Sequence, residues 1–425
     1  MSEAKHHKTK KIYISEQTDL SEPNKLVLAT VDIPLKRATP SDQMSLWGED
    51  VPSARVSKTA LKTLIHPGEV NKVLELPQQQ SIVVTHSDSP DVFVWNFDKQ
   101  KDRISDLAQS SADGRKVSQQ DITLKGHTDN AQFALAMCNI EPLVASGGSD
   151  AKVLVWNLED GGGAAGLTAT STSSNGQPTE LHPRAAFRGH KKTVGDVSFM
   201  PGSRNDLASV ADDYSLLFWD MRDPREPVNR VPRAHGEREI YCCDWSELRP
   251  TLVATGAEDG GVRVWDKRNL GGALHSLTHH TRRVTSLEWS PHTIGVFGSG
   301  SADNLVCIWD LNGRSLEGDG QGWKRNQKVA VPHQLLFQHS GHQSAVEDIS
   351  WNPVDPWTMM SVAGSGPGAG GTVQFWRMSD LIYRPEEEIM AELEPYKDFI
   401  VTGDESRLPL INTGLPGNAV GAGQI

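Results

Sequence analysis

Residues 127–156, HTDNAQFALAMCNIEPLVASGGSDAKVLVW, gather a histidine, a serine at 146 and an aspartate at 150. These are the side chains of a nucleophilic hydrolase, in which an imidazole takes the serine proton and a carboxylate fixes the imidazole. Such chemistry needs one constellation per site, and the chain carries several. His127 precedes Ser146 by 19 residues and Trp156 by 29; His190 stands at the same distances from Ser209 and Trp219, and His280 from Ser299 and Trp309. His235 runs one residue longer, to Thr255 and Trp265, while His66 reaches Thr85 and Trp95 at 19 and 29. His342 reaches Ser361 at 19, with its tryptophan displaced to Trp376 by the insert GSGPGAGG. Asp150, Asp213, Asp259 and Asp303 each lie six residues before the tryptophan, where the first and last repeats have Ser89 and Gly370. A constellation present in full four times and in part twice is not a catalytic centre. No catalytic residue is assigned, and the reading is that the chain is not an enzyme. The sets His127–Ser146–Asp150–Trp156, His190–Ser209–Asp213–Trp219, His235–Thr255–Asp259–Trp265 and His280–Ser299–Asp303–Trp309 are instead read as buried structural networks. Buried polar groups must be paired, and tryptophan contributes one N–H.

The elements around these residues are short strands. DVFVWNF, KVLVWNL, SLLFWDM, GVRVWDK, LVCIWDL and TVQFWRM are rich in branched and aromatic residues. Each follows another strand across a turn, and a third, such as VGDVSFM or RVTSLEW, lies before that. With a fourth strand leading to the next histidine, the unit is a four-stranded blade of about 40–45 residues with a G-H…W-D signature. GH is literal at 126–127, 189–190 and 341–342, and WD at Trp219–Asp220, Trp265–Asp266 and Trp309–Asp310. These are WD repeats, which stack in a circle as a β-propeller. KIYISEQ and NKLVLATVDIP read as strands of a further blade, giving an all-β, seven-bladed WD-repeat propeller whose first blade lacks its innermost strand. The strand that would close the ring against the last blade is not found either. The organisation expected is a basic tail over 1–10, the propeller over 11–383, a short helix over 384–397 and a flexible tail over 398–425. Inserts are read at 98–121, 158–186 and 312–334, the second low in complexity.

Composition bounds the function. Acidic residues outnumber basic ones 54 to 42, a formal charge of −12, which repels nucleic acid and attracts basic partners. The four cysteines, Cys138, Cys242, Cys243 and Cys307, contain no C-x-x-C pair, so no zinc site of usual spacing and no metal is expected. They read as buried thiols in a reducing compartment. No Gly-rich run continues into G-K-[ST], so no nucleotide cofactor is implied. No apolar stretch approaches the ~18 residues of a membrane span, and the N-terminus lacks a secretory core. The basic cluster Lys5–Lys11 reads either as a nuclear address or as a solvated tail.

HPGEVNKVLELPQQQSIVVTHSDSPDVFVWNF, SVADDYSLLFWDMR, LVATGAEDGGVRVWDKRNL, LEWSPH and SWNPVDPW go beyond generic WD spacing. Across roughly residues 11–397 the chain resembles the retinoblastoma-binding/MSI-type family of histone-binding WD-repeat proteins. GHTDNAQFALAMC and GGTVQFWRMSDLIYRPEEEIMAELE resemble its plant FVE-like branch. The resemblance implies a non-catalytic, nuclear histone-binding scaffold of deacetylase, Polycomb and chromatin-assembly complexes, acting in chromatin organisation and transcriptional repression. Its partners would be core histones through their basic tails, together with subunits of those complexes. It implies a histone tail across the acidic top of the ring. In this chain the corresponding positions are Glu69, Asn71, Asn130, Phe133, Asp196, Glu239, Tyr241, Glu347 and Asp348. Two positions depart from the family: Gly195 stands where an acidic residue is usual beside Asp196, and Arg283, a basic residue, stands beside Val284. A histone helix would bind a side groove walled by loop 312–338, with Trp323, Pro332 and Phe337. The N-terminal helix that forms the other wall is not found in this chain, so weak helix binding is expected. A second function reading rests on Trp–Asp–x–Arg, at Trp219, Asp220 and Arg222 and at Trp265, Asp266 and Arg268. In WD-repeat substrate receptors this motif docks on a cullin ligase adaptor.

Overall fold

The computed structural model describes residues 7–16, 23–34, 58–104, 117–129, 134–161, 178–312, 332–364 and 371–402. The chain divides into two compact units. One, Thr9–Asp32 with Ser57–Arg377, contains nearly all the strands. The other takes in the segment from Met378 onward. Its described part is helical, over Asp380–Tyr383, Glu386–Leu393 and Lys397–Thr402, with Arg384 paired to Glu392 at 2.7 Å. Pro385, whose ring removes a donor, precedes the middle helix at its N-cap.

The strands form seven sheets, antiparallel but for one added strand of blade 2, which are the blades of a seven-bladed β-propeller. Blade 1 comprises His7–Glu16, Lys25–Pro34 and Lys58–Ile65, so its first strand begins inside the stretch read as a basic tail. Blades 3 to 6 have four strands each, from inside outwards. The innermost are Leu135–Met137, Val194–Phe199, Ile240–Trp245 and Val284–Trp289. The inner strand of blade 2 is Val70–Leu76, and that of blade 7 is Val346–Trp351. Blade 7 has three strands among the described residues. Blade 2 has a fifth strand that the sequence reading missed: Thr179–Leu181, from the insert at 158–186, pairs in parallel with Ile122–Leu124. Three residues are too few to show a period, so no pattern marks them.

Each sheet is apolar on both faces, and the core lies between blades. Ala145 and Val155 of blade 3 pack with Val197 and Leu207 of blade 4, and Phe218 of blade 4 packs with Trp245 and Val253 of blade 5. The same sandwich recurs between blades 5 and 6 through Val264, Trp289 and Phe297. A propeller is therefore a ring of interfaces, each blade supplying the apolar wall its neighbour needs.

Candidate functional site

The repeated polar residues build the support for the site. In blade 6 the Trp309 indole N–H donates to Ser299 Oγ at 2.8 Å, and Ser299 contacts His280 Nε2 at 2.8 Å. His280 Nδ1 lies 3.1 Å from Asp303, so Nδ1–H donates there and Nε2 accepts the serine proton. The indole N–H, the serine hydroxyl and both imidazole nitrogens are thereby all satisfied. Ser299 is fully buried, its hydroxyl held from both sides, and no substrate can reach it. His190, Ser209, Asp213 and Trp219 repeat the arrangement in blade 4, at 2.7 Å for both serine contacts. His66, Thr85 and Trp95 do so in blade 2, with the Gly68 carbonyl replacing the aspartate.

Two sets depart from the expectation. Trp156 is not bonded to Ser146; its N–H donates to the Lys125 carbonyl at 3.0 Å. His86, a buried side chain of blade 2 that sequence reasoning missed, takes its place and donates from Nε2 to Ser146 at 2.7 Å. The signal was a histidine directly after the Thr85 of its own repeat, where the other repeats carry Gly or Val. In blade 5 His235 and Trp265 hold Thr255 at 2.8 and 2.9 Å, but Asp259 stands 3.7 Å from His235 Nδ1. Among the described residues that nitrogen has no hydrogen-bond partner, because blade 5 runs one residue longer between the two.

The aspartates also shape the turns. Asp150, Asp213, Asp259 and Asp303 each accept the backbone N–H two residues on. The residue between, Ala151, Tyr214, Gly260 or Asn304, is left-handed at φ 59°, 69°, 74° and 71°. An aspartate that closes such a turn on its own backbone makes this conformation accessible to residues other than glycine. Asp150, Asp213 and Asp303 also accept the N–H following the histidine, at 3.1, 2.8 and 2.9 Å. Burial raises these carboxyls, but the hydrogen bonds outweigh it and hold all three below the usual range, Asp303 at about 2.

The N–H groups that these aspartates accept after the histidine lie just before the inner strands, where a second repeated device operates. In blades 2, 4, 5, 6 and 7 the pairing register breaks between the first and third residues of the inner strand. The extra residue is Asn71, Gly195, Tyr241, Thr285 or Glu347. A bulge leaves one residue unpaired and re-aims its side chain. Asn71, Tyr241 and Glu347, three of the expected tail contacts, therefore occupy equivalent bulges. Asn130 and Phe133 lie outside the described residues. Gly195 has a steric reason: a Cβ there would stand 2.5 Å from the Ile240 carbonyl oxygen of blade 5. Thr285, which sequence reasoning missed, donates to the Val346 carbonyl of blade 7 at 2.6 Å.

The acidic part of the rim centres on Tyr241. Its hydroxyl donates to Glu239 at 2.9 Å. Burial first, then Glu239, Glu258 and Asp212, push the phenol up to about 12. Burial and Glu239 raise the Asp212 carboxyl to about 6, against the pull of Lys192. The Arg283 guanidinium lies over the Tyr241 ring, 5.8 Å from its centroid. Glu347 is exposed; desolvation raises its carboxyl, Arg283 draws it down and Asp348 raises it. Glu69 is also exposed.

Asp196 does not belong to this open rim. It is 7% exposed and already held by Lys72 at 3.3 Å and by the Cys243 N–H at 3.1 Å. Lys72 comes from blade 2 and Asp196 from blade 4, so they meet at the centre of the ring. There Asp348 reaches solvent while surrounded by protein; burial raises its carboxyl and Lys72 offsets this. Further along the inner strands, Asp244 accepts the Trp289 N–H and Glu288 the Trp351 N–H, both at 2.8 Å. Each carboxylate thus clasps the next blade. Burial lifts Asp244 to about 7 and Glu288 well above the ordinary value. The sequence reading did not assign Lys72, Asp244 or Glu288, although each stands at a fixed offset in its inner strand.

The WD domain, G-beta repeat family model matches residues 118–157, 181–220, 226–266, 271–310 and 333–377. The WD-40 repeat-containing protein MSI4 of Arabidopsis thaliana is 40% identical over 420 residues, covering 95% of this chain and 80% of that protein. The chain belongs to the retinoblastoma-binding/MSI-type family of WD-repeat proteins. Histone acetyltransferase type B subunit 2 of Debaryomyces hansenii is 28% identical over 89% of this chain and 82% of its own length. MSI3 of Arabidopsis thaliana is 28% identical over 89% and 80%.

The remaining expected sites sit elsewhere on this family member. Arg222 grips Asp220 with two nitrogens, at 2.9 and 2.5 Å, and Arg268 grips Asp266 at 2.9 and 2.6 Å. Both arginine side chains are more than two-thirds exposed, at 74% and 71%. Of the side-groove loop, Trp323 lies outside the described residues, while Phe337 packs 5.7 Å from Trp376. Among the described residues no group of three His, Cys, Asp or Glu could hold a metal ion, and no helix is long and apolar enough to cross a membrane.

Proposed function

We propose that the chain is a non-catalytic histone-binding scaffold subunit of nuclear chromatin-modifying complexes of the deacetylase, Polycomb and chromatin-assembly types, acting in transcriptional repression. A basic histone tail would lie on the rim, and the observation that carries this reading is the carboxylate cluster around Tyr241. Asp212, Glu239 and Glu258 surround that one ring, and Glu347 stands at an equivalent bulge. Glu69, Asn71 and Asp348 extend the surface, with Asn130 and Phe133 proposed in blade 3. Charge-assisted hydrogen bonds contribute about 1.5–3 kcal/mol each. Two or three of them beyond the cost of association give roughly micromolar binding. The names of the relatives, MSI proteins and a histone acetyltransferase subunit, support the chromatin setting. Placement in the FVE-like branch is the finer proposal, resting on 126–138 and 370–394.

The test is a titration of the purified chain with a labelled histone N-terminal tail peptide at two salt concentrations, beside a scrambled peptide of the same charge. Selective, salt-sensitive binding is expected. Equal binding of the scramble would reduce the rim to an unspecific attractor, and no binding would remove the reading.

The exposure of Arg222 and Arg268 favours a second reading, docking on a cullin ligase adaptor. Loss of adaptor co-precipitation in Arg222→Ala, with the fold intact, would support it.

A further inference from the structure

The acidic rim already contains a cation. Arg283 is exposed on the approach to the inner strand of blade 6, and its guanidinium lies over the Tyr241 ring of blade 5, 5.8 Å from the centroid. A guanidinium within about 6 Å of an aromatic face is held by the ring quadrupole. The same group is the favourable electrostatic neighbour of Glu347, on blade 7. One flexible side chain therefore lies over one of the rim's bulge residues and acts electrostatically on another. These are the interactions that a basic peptide would make: a planar cation on an aromatic face, between carboxylates. Tyr241 is itself fixed, because its hydroxyl is tied to Glu239 at 2.9 Å.

We propose that Arg283 is a tethered competitor, which an incoming arginine of a basic partner must displace from the Tyr241 ring. The proposal rests on the tail-binding reading above and adds its regulation: Arg283 sets the affinity threshold of the rim and makes the Tyr241 position selective. A ligand lysine, compact and strongly hydrated, replaces a stacked guanidinium poorly. A ligand arginine replaces it like for like. The competitor is local, so its effect belongs to one ligand residue and not to total charge.

The experiment uses the full chain and fluorescence anisotropy with the labelled histone N-terminal tail peptide, in its natural form and with each arginine changed to lysine. Arg283→Gln is compared with Arg282→Gln, which removes the same charge from the neighbouring exposed position. Arg283→Gln is expected to tighten binding about 3- to 10-fold, the range of one exposed cation–π contact with its electrostatic partner. Arg282→Gln should give less than half that gain. Arg283→Lys should fall between wild type and Arg283→Gln. In a Tyr241→Leu background the gain from Arg283→Gln should vanish, because the contested ring is gone. Equal gains from the two glutamine variants would show bulk charge and overturn the proposal while leaving the tail site standing. So would a full gain retained in Tyr241→Leu. Binding by wild type with no change in Arg283→Gln would also overturn it alone. No binding by any chain whose circular dichroism is native would remove both the tail reading and this inference.

Discussion

The replacement of Trp156 by His86 in the blade 3 network makes a sharp energetic prediction. In blade 6, Ser299→Ala leaves the Trp309 N–H and His280 Nε2 without their partner. Each orphaned buried group costs about 1–3 kcal/mol, so the variant should lose roughly 2–6 kcal/mol. Trp309→Phe removes the donor along with part of the ring. In the double variant there is no indole N–H left to orphan, so the two costs should fall short of additivity by about 1–3 kcal/mol. In blade 3 the same pair behaves differently. Trp156 donates to the Lys125 carbonyl, so Ser146→Ala does not touch its hydrogen bond. Ser146→Ala and Trp156→Phe should add to within about 0.5 kcal/mol. The assay is urea unfolding followed by far-ultraviolet circular dichroism, with energies taken from midpoints at a common slope. Coupling of equal size in the two blades would refute the reasoning, as would additivity in blade 6.

Lys72→Met should cost roughly 3 kcal/mol, because it leaves Asp196 as an uncompensated buried carboxylate; Asp196→Asn in the same chain should recover most of it, measured by urea midpoint. Gly195→Ala should destabilise by about 1–3 kcal/mol through overpacking, since its Cβ meets the Ile240 carbonyl oxygen; a neutral result would contradict the close approach of blades 4 and 5. Asp244 titrates at about 7 in the fold against an ordinary 3.8, so between these values the folded chain holds a proton that the unfolded chain has lost. Its contribution favours folding at low pH and declines as pH rises through 7, so the stability of Asp244→Asn relative to wild type should improve from pH 5 to pH 8. His66 has the opposite sign: burial lowers it from 6.5 to about 4, so its contribution is complete above 6.5 and is lost as pH falls through that window. His66→Asn should therefore show a shallower loss of urea midpoint between pH 7 and pH 4.5.

The propeller was legible because its repeat is set by chain geometry. A four-stranded blade fixes the distance from His190 to Trp219, and the same distance recurs at His280 and Trp309. What stayed hidden was local or crossed between blades. Trp156 keeps the repeat spacing in sequence, yet its N–H turns to a backbone carbonyl because His86 arrives from the neighbouring sheet. Spacing along one blade carries no information about a side chain entering from another. The strand Thr179–Leu181 was invisible for a similar reason, since among the described residues it pairs with a strand of blade 2. At the rim, Glu239, Tyr241 and Glu347 were identified from the resemblance alone. The reason Tyr241 and Glu347 share a surface, the bulge at the second residue of the inner strands of blades 2, 4, 5, 6 and 7, needs the pairing register. Asp196 shows the converse: its type and position suited the rim, and only the fold reveals that Lys72 and the Cys243 N–H already hold it.

The two layers of polar residues explain how one repeat yields both a rigid ring and a variable surface. Below the bulge, Asp196, Asp244 and Glu288 each accept a backbone N–H from the next blade, so those positions are constrained by their neighbours. Each clasp crosses one blade boundary and fixes the orientation of the next inner strand. At the bulge itself the side chain takes no part in the ladder. Residues as different as Asn71, Gly195, Tyr241, Thr285 and Glu347 therefore occupy it without disturbing the strand. The clasp makes the rim positions geometrically equivalent, and the bulge releases them from any common chemistry. An acidic and aromatic rim on blades 5 and 7, with a basic residue beside the bulge of blade 6, follows from that freedom, whereas the glycine of blade 4 is set by the close Ile240 carbonyl oxygen. The ring supplies the positions, and the identities of these few side chains decide which partner the surface accepts.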